Sequence, residues 1–351
     1  MLLPLFISLL SLLFGYDEAE LVFVGDAMQH QAQLDAARHP GDTYDYSGCF
    51  DSIVPSLATA DYAVVNLETP IGDAPHSGYP CFNAPPQYLD ALANAGFDLF
   101  LTANNHTLDR QARGLRSTIS HLDSRNLTHL GTYSSDSARL RELPLVVDVN
   151  NIKIGFLNYT YGTNGFTPGG SVVVDYIDRP VMNRDVARTR LAGADLVCVC
   201  IHWGDEYKLL PNASQKSTAD YLESLGVDMI IGAHPHVIQP MEMRPNKYFP
   251  DKNVFLVYSL GNFISNMKTP DTRGGAMASV RIIKEKNGVA RIADAGYTLL
   301  FTVPGTAGGD NFRVMPASKC TDRNWISRCA DFCRRARAIF TRHNINVPEN
   351  E

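Results

Sequence analysis

Short, largely apolar segments recur along this chain, and each stops at a polar residue able to hold a ligand; no other feature restricts the fold as much. Residues 21–24 break at Gly25-Asp26, and residues 62–65 at Asn66-Leu67-Glu68. Residues 97–102 end in Asn104-Asn105-His106, and residues 196–201 in His202-Trp203-Gly204-Asp205-Glu206. Residues 228–231 lead into His234-Pro235-His236, and residues 255–258 into Ser259-Leu260-Gly261-Asn262. Strands that are apolar at every position are buried on both faces, as in parallel sheets covered by helices. Helical spacing fills the intervals at 50–57, 87–95, 109–125, 181–191 and 214–225. Two hairpins are expected. One joins 144–149 to 152–159 at Asn150-Asn151, and the other joins 278–283 to 289–292 across Lys286-Asn287-Gly288. The class is α/β, with no internal repeat.

In such sheets ligand sites form at the carboxyl ends of strands, where several crossovers converge. Each strand end has an ordinary explanation when taken singly: Asp26 as a helix cap, Glu68 as a surface carboxylate, Asn105 as a turn residue, His202 as a core histidine. With the His234 and His236 pair as a fifth strand end, the five together make a candidate site. Its densest part is residues 230–237, where two histidines flank one proline. The proline fixes its own φ and biases His234 away from helix, so both imidazoles are expected to project from extended backbone.

Carboxylate, amide oxygen and imidazole suit one or two ions of manganese, iron or zinc, rather than an all-oxygen calcium site or a thiolate zinc site. A carboxylate between two ions can bridge them. Two ions about 3.5–4 Å apart activate a water near neutral pH and stabilise charge developing on oxygen. His106, beside the set, is the candidate catalytic residue, as general acid.

Composition excludes other classes. At 351 residues, 45% hydrophobic and 19% charged, the chain is ordinary for a globular protein, and a net charge of -6 offers no basic surface for nucleic acid. Residues 1–14 are almost wholly apolar and have the length of a signal-peptide core, so export is expected. Of seven cysteines, Cys198 and Cys200 alternate in a buried strand, whereas Cys49, Cys81, Cys320, Cys329 and Cys333 lie where pairing after export is feasible. Residues 325–342 read as a helix whose Arg334, Arg335, Arg337 and Arg342 form a solvated basic face.

Taken in order, the motifs GDAM at 25–28, VNLE at 65–68 and ANNH at 103–106 with Asp109 and Gly114 lie in the first part of the chain. They are followed by HWG at 202–204 with Glu206, GAHPH at 232–236 with Gln239, and YSLGNF at 258–263. This set resembles the CapA family of poly-gamma-glutamate capsule synthesis proteins, which is similar in turn to calcineurin-type metallophosphoesterases. The resemblance spans about residues 20–265. It implies a four-layered α/β/β/α metallophosphoesterase-like sandwich with a dinuclear site at one end. By that resemblance Asp26 and His236 hold a first ion, Glu68 bridges, and Asn105, His202 and His234 hold a second. Asn66, Asn104, Asp109, Trp203, Glu206 and Asn262 then fall to substrate binding or to support of the ligands. Ordinary metallophosphoesterases carry a histidine where Met28 stands, so the first ion has one ligand fewer.

The expected organisation is a signal peptide or membrane-proximal leader at 1–19, a CapA-type domain at 20–310 and a helical extension at 311–351. The expected protein is exported to the periplasm or cell surface, or is membrane-anchored by its N-terminal segment. There it acts as a metal-dependent hydrolase on an anionic envelope polymer, alongside membrane-associated polymer synthesis machinery. Two rivals stand beside this reading: a phosphomonoesterase or phosphodiesterase acting on phosphate esters, and a noncatalytic component of polymer synthesis or export.

Overall fold

The computed structural model describes residues 15–306 and 309–350; the apolar run at 1–14, read above as a signal sequence, lies outside the described residues. Apart from four two-residue ribbon strands, the chain builds one sheet, crosses to build a second, and returns to the first. Strands β1 (Tyr16–Ala27), β2 (Tyr62–Leu67), β3 (Leu99–Leu101) and β4 (Thr128–Leu130) run parallel, side by side. The second sheet contains β5 (Leu145–Val149), β6 (Ile152–Thr160), β7 (Leu196–His202), β8 (Met229–Ala233), β9 (Ile238–Pro245) and β10 (Asn253–Leu260), in the order β9-β10-β8-β7-β6-β5. Here β6, β7, β8 and β10 are mutually parallel. Back in the first sheet, β11 (Asn262–Ile264) lies parallel to β1, and β12 (Gly274–Glu285), β13 (Ala290–Val303) and β14 (Arg313–Pro316) extend the other flank of β1 antiparallel.

Side chains alternate across each strand, and the burial sorts by that period. Leu21 and Phe23 of β1 and Tyr62 and Val64 of β2 face the second sheet, where Tyr62 stacks on Phe156 with ring centroids 5.5 Å apart. Val22, Val24, Ala63, Val65 and Leu67 face outward, onto Tyr88, Leu89 and Leu92 of helix α1 (Pro86–Ala95). Every residue from Leu196 to Ile201 is buried: the second sheet is covered by β1 and β2 on one side. On its other side lie Met182 and Val186 of α2 (Arg179–Leu191) with Ala219 and Leu222 of α3 (Ala213–Ser224). The four-layered α/β/β/α sandwich expected from the sequence is the observed architecture.

The sheets are stitched at one residue. β10 ends at Leu260 in the second sheet, and Asn262 already pairs with Asp26 in the first. Gly261 makes the switch with φ of +69°, and its carbonyl accepts the Asp26 amide at 3.0 Å. A Cβ on Gly25 would stand 1.9 Å from that carbonyl oxygen, so only glycine permits the approach.

Several elements extend beyond the sequence expectation. Tyr16–Ala19, assigned above to the leader, are the first residues of β1 and pair with Ile282–Glu285. β14 continues the first sheet past residue 310. The segment 50–57 is helical only over Val54–Leu57, with Pro55 near the start of that single turn, yet Phe50, Ile53 and Leu57 are buried as their spacing required. Helix α4 (Ile326–His343) buries a stripe of Cys329, Phe332, Cys333, Ala336 and Phe340 against β13, with Phe340 4.5 Å from Tyr297. Its Arg337 pairs with Glu349 at 2.8 Å and its Arg335 with Asp271. All seven thiols are unpaired, and Cys198 and Cys200 are wholly buried. Among the described residues no helix is long and apolar enough to cross a membrane.

Candidate metal centre

Because β1, β2 and β3 are parallel in one sheet and β7 and β8 in the other, their carboxyl ends open onto the same end of the sandwich. Asp26 lies in β1, and Glu68 and Asn105 follow β2 and β3. His202 closes β7, and His234 and His236 follow β8. All six are buried, at 3% exposure or less. Oxygen donors therefore come from the first sheet and imidazoles from the second.

Potential ligand atoms of Asp26, Glu68 and His236 lie within 4.8 Å of one another, as do those of Glu68, His202 and His234. The two groups share Glu68. Its Oε1 is 3.6 Å from His202 Nε2 and 3.8 Å from His236 Nε2, and Asp26 Oδ2 is 3.0 Å from His236 Nδ1. Asn105 Oδ1 accepts from His202 Nε2 at 2.8 Å, which places it beside the second group. The rings of His202 and His234 are 4.8 Å apart, and those of His234 and His236 5.9 Å.

Electrostatics set the protonation states. Burial raises the Asp26 carboxyl, but the hydrogen bond and charge of His236 outweigh it and bring Asp26 down to about 2. Burial and the neighbouring Asp26 charge hold Glu68 well above the usual carboxylate range. Burial and then His234 push His202 well down, and burial and then His236 bring His234 to about 3, so these two imidazoles are neutral and available as ligands. Both oxygens of Glu68 and Nδ1 of His234 are buried without a hydrogen-bond partner. A buried polar atom left unmatched costs about 1–3 kcal/mol, so such atoms call for a ligand that satisfies them. A carboxylate, a carboxamide oxygen and imidazoles converging on that gap fit divalent first-row cations.

The loop carrying His234 and His236 departs from expectation. Neither histidine is extended: His234 has φ of +101° and His236 of +58°, the left-handed side that residues with a Cβ avoid. The proline constraint is overridden by tertiary packing. Pro235 O accepts the Tyr207 amide at 2.8 Å, and Ser259 Oγ donates to Val237 O at 2.8 Å. Gly232 beneath the loop admits no side chain, since a Cβ would lie 2.1 Å from Tyr258 O. Strain of this kind, about 1–3 kcal/mol per residue, gathers at functional sites.

The remaining predicted residues take different parts. Asn66 Nδ2 donates to Asp26 Oδ1 at 2.8 Å, Asn262 Oδ1 lies 3.1 Å from His236 Nδ1, and Asn104 Nδ2 donates to Leu67 O at 2.9 Å, next to Glu68. These three orient the cluster. His106 Nδ1 meets Asp109 Oδ2 at 2.7 Å, and the His106 ring packs on Phe82 at 4.6 Å. Trp203, by contrast, is spent in the core, its indole donating to Tyr258 O at 2.9 Å. Glu206 is exposed, yet a carboxylate oxygen of it lies within 4.8 Å of ring nitrogens of both His234 and His236.

Sequence reasoning missed two tyrosines. Tyr161 stands 4.5 Å from the His234 ring, and Tyr207 6.2 Å from the His236 ring, both half-exposed at the mouth of the cluster. Tyr161 follows β6, a strand whose parallel neighbour is β7; reading 152–159 only as a hairpin arm hid a further strand end.

The family model described as bacterial capsule synthesis protein PGA_cap matches residues 20–267. The chain belongs to that family. Among its relatives, Capsule biosynthesis protein CapA of Bacillus anthracis is 26% identical over 328 residues, covering 89% of this chain and 72% of the relative. PGA biosynthesis protein CapA of Bacillus subtilis (strain 168) is 27% identical over 279 residues, or 77% and 68%. A "Probable polyglutamine synthesis accessory protein" of Mycobacterium tuberculosis is 26% identical over 211 residues, or 56% and 55%. The solved structure of Haemophilus influenzae NAD nucleotidase (NadN) overlaps 96% of this chain and 58% of its own at a TM-score of 0.49 and 13% identity. The PGA_cap match runs from within β1 to just beyond β11, and so takes in every strand end that contributes to the cluster.

Proposed function

We propose that this capsule-synthesis family member is an exported, metal-dependent hydrolase of an anionic envelope polymer of the poly-gamma-glutamate kind. The observation that carries the reading is Glu68, wholly buried with both oxygens unpartnered between two groups of potential ligands. The names of the two Bacillus relatives support the polymer, and the apolar run at 1–14 supports export.

In this reading Asp26, Glu68 and His236 hold one divalent ion, and Glu68, Asn105, His202 and His234 hold another. When bound, such ions supply Lewis acidity and a water made nucleophilic near neutral pH. The chain's own residues do the rest. Asn66 and Asn262 fix Asp26 and His236 in place. Asp109 engages Nδ1 of His106 and turns the ring, which makes Nε2 the atom that passes a proton to the leaving group. Tyr161 and Tyr207, half-exposed beside His234 and His236, are the residues placed to contact the substrate chain.

The test incubates manganese-loaded and metal-stripped full-length protein with poly-gamma-glutamate and, in parallel, with a panel of phosphodiesters and phosphomonoesters. Shortening of the polymer by the loaded sample alone supports the proposal. Phosphoester cleavage without polymer cleavage moves the assignment to a phosphoesterase. Polymer bound but uncut, with the panel untouched, leaves a noncatalytic component of polymer synthesis.

A further inference from the structure

The two groups of potential ligands are unequal. Glu68, Asn105, His202 and His234 offer four donors to one ion, whereas Asp26, Glu68 and His236 offer three to the other. First-row ions in protein sites take at least four ligands, counting a bound water, so the three-donor position has room for a further protein ligand. Met28 cannot make up the difference: its amide donates to Ile264 O at 3.0 Å, and its carbonyl accepts from Gln33 at 2.8 Å and Tyr88 at 3.1 Å, so this backbone is fixed.

A fourth donor stands on the other side of the cluster. The loop after β7 folds back over the two histidines, turning at Gly204 with φ of +95° and at Tyr207 with φ of +64°. It is fastened there by Trp203 N–H to Ala233 O at 3.1 Å, Tyr207 N–H to Pro235 O at 2.8 Å, and Gln239 Nε2 to Lys208 O at 2.7 Å. Asn212 Nδ2 holds Asp205 at 2.8 Å, so of the two adjacent acids Glu206 is the one in reach of the ring nitrogens of His234 and His236. Glu68 lies wholly buried on the opposite side, its oxygens unpartnered.

We propose that Glu206 is a metal ligand, reaching from the solvent side the ion that His236 holds, with its carboxylate within 4.8 Å of ring nitrogens of His236 and His234. The inference rests on the metal-dependent reading above and changes the part expected of Glu206 from substrate contact to ion holding. A ligand on an exposed loop also implies that this ion is the more exchangeable of the two, and that loop movement opens its coordination.

The experiment titrates Mn²⁺ into the metal-stripped full chain by calorimetry and by competition with a chromophoric chelator, for wild type, Glu206→Gln and Glu206→Asp. Thermal melts in chelator check that all three fold alike. Wild type is expected to bind two ions, and Glu206→Gln to keep one unchanged and weaken the other at least about tenfold, the scale of even an indirect loss at a metal site. Glu206→Asp, which keeps the carboxylate on a shorter stem, is expected to fall between them. Wild-type stoichiometry and affinities in Glu206→Gln overturn the inference while leaving the metal centre standing. Wild type that takes up no Mn²⁺ overturns both.

Discussion

If Glu68 exists to hold ions, it is a liability without them, and replacing it with methionine separates the two effects. The carboxyl is wholly buried, its nearest imidazole nitrogens are 3.6 and 3.8 Å away, and neither oxygen has a hydrogen-bond partner. Burial and Asp26 hold it neutral in the metal-free protein, so the cost there is that of an unmatched polar group, about 1–3 kcal/mol. Methionine fills a similar volume with an apolar chain. Glu68→Met is therefore expected to stabilise the stripped protein by about 1–3 kcal/mol, or roughly 2–4 °C in Tm per kcal/mol for a domain of this order. In the wild type, an ion at a hundred times its Kd contributes about 2.7 kcal/mol, and the variant forfeits most of that. Melting curves of the full chain should then cross, with the variant above wild type in chelator and below it in saturating Mn²⁺. A variant that melts lower than wild type in chelator would mean that Glu68 is a structural residue. A variant that keeps the full metal-dependent rise in Tm would mean that it is not a ligand.

Other outcomes follow from the same geometry. Ion uptake must expel the proton that burial keeps on Glu68, so apparent Mn²⁺ affinity is expected to rise with pH, and wild-type titration enthalpies should depend on the ionisation enthalpy of the buffer. His106→Asn should retain both ions and lose about 10²–10⁴ in turnover, and Asp109→Asn should lose less with the ions still in place; loss of ions from His106→Asn, measured by metal analysis, would make it a ligand instead. Away from the site, burial raises Glu20 from 4.5 to about 7 against the pull of Arg281. A carboxyl raised in the folded state favours folding while protonated, so this contribution is complete below pH 4.5 and disappears as pH rises through about 7. Glu20→Gln should therefore flatten Tm between pH 5 and 8 and stabilise the protein at pH 8 by about 1–2 kcal/mol, a shift converted at about 1.4 kcal/mol per pH unit and discounted for partial exposure.

What could be read in the sequence was what burial on both faces writes into it. β7 and β8 are covered by helices on one side and by the first sheet on the other, so they appear as unbroken apolar runs whose ends, His202 and the His234–His236 pair, stand out. β1 shows the limit of that signal. Its second half is apolar throughout, but Tyr16–Glu20 lie where the strand pairs with the antiparallel arm of β12, leaving several side chains partly exposed, and the residues look like the end of a leader. The His234-Pro235-His236 loop failed in a different way. Local steric preference predicts extended backbone, and only contacts from Tyr207 and β10, distant in sequence, impose positive φ on both histidines. Tyr161, Tyr207 and the ligand role proposed for Glu206 depend on how loops fold back over the strand ends, and spacing along the chain carries no record of that.

The division of donors between the sheets has a mechanical consequence. Asp26, Glu68 and Asn105 belong to the first sheet and His202, His234 and His236 to the second, so neither sheet holds half a site that could close alone. At that end the sheets are joined covalently through Gly261, whose carbonyl also takes the Asp26 amide at 3.0 Å. Sheet packing of this density does not slide continuously, so the separation of oxygen and nitrogen donors is set by the core, by contacts such as Tyr62 on Phe156, rather than by the loops. Ions bound there would act as a clamp across the open end of the sandwich. The buried donors are fixed by the core, and Glu206, the one proposed ligand carried on an exposed loop, is then the part of the centre free to move with that loop.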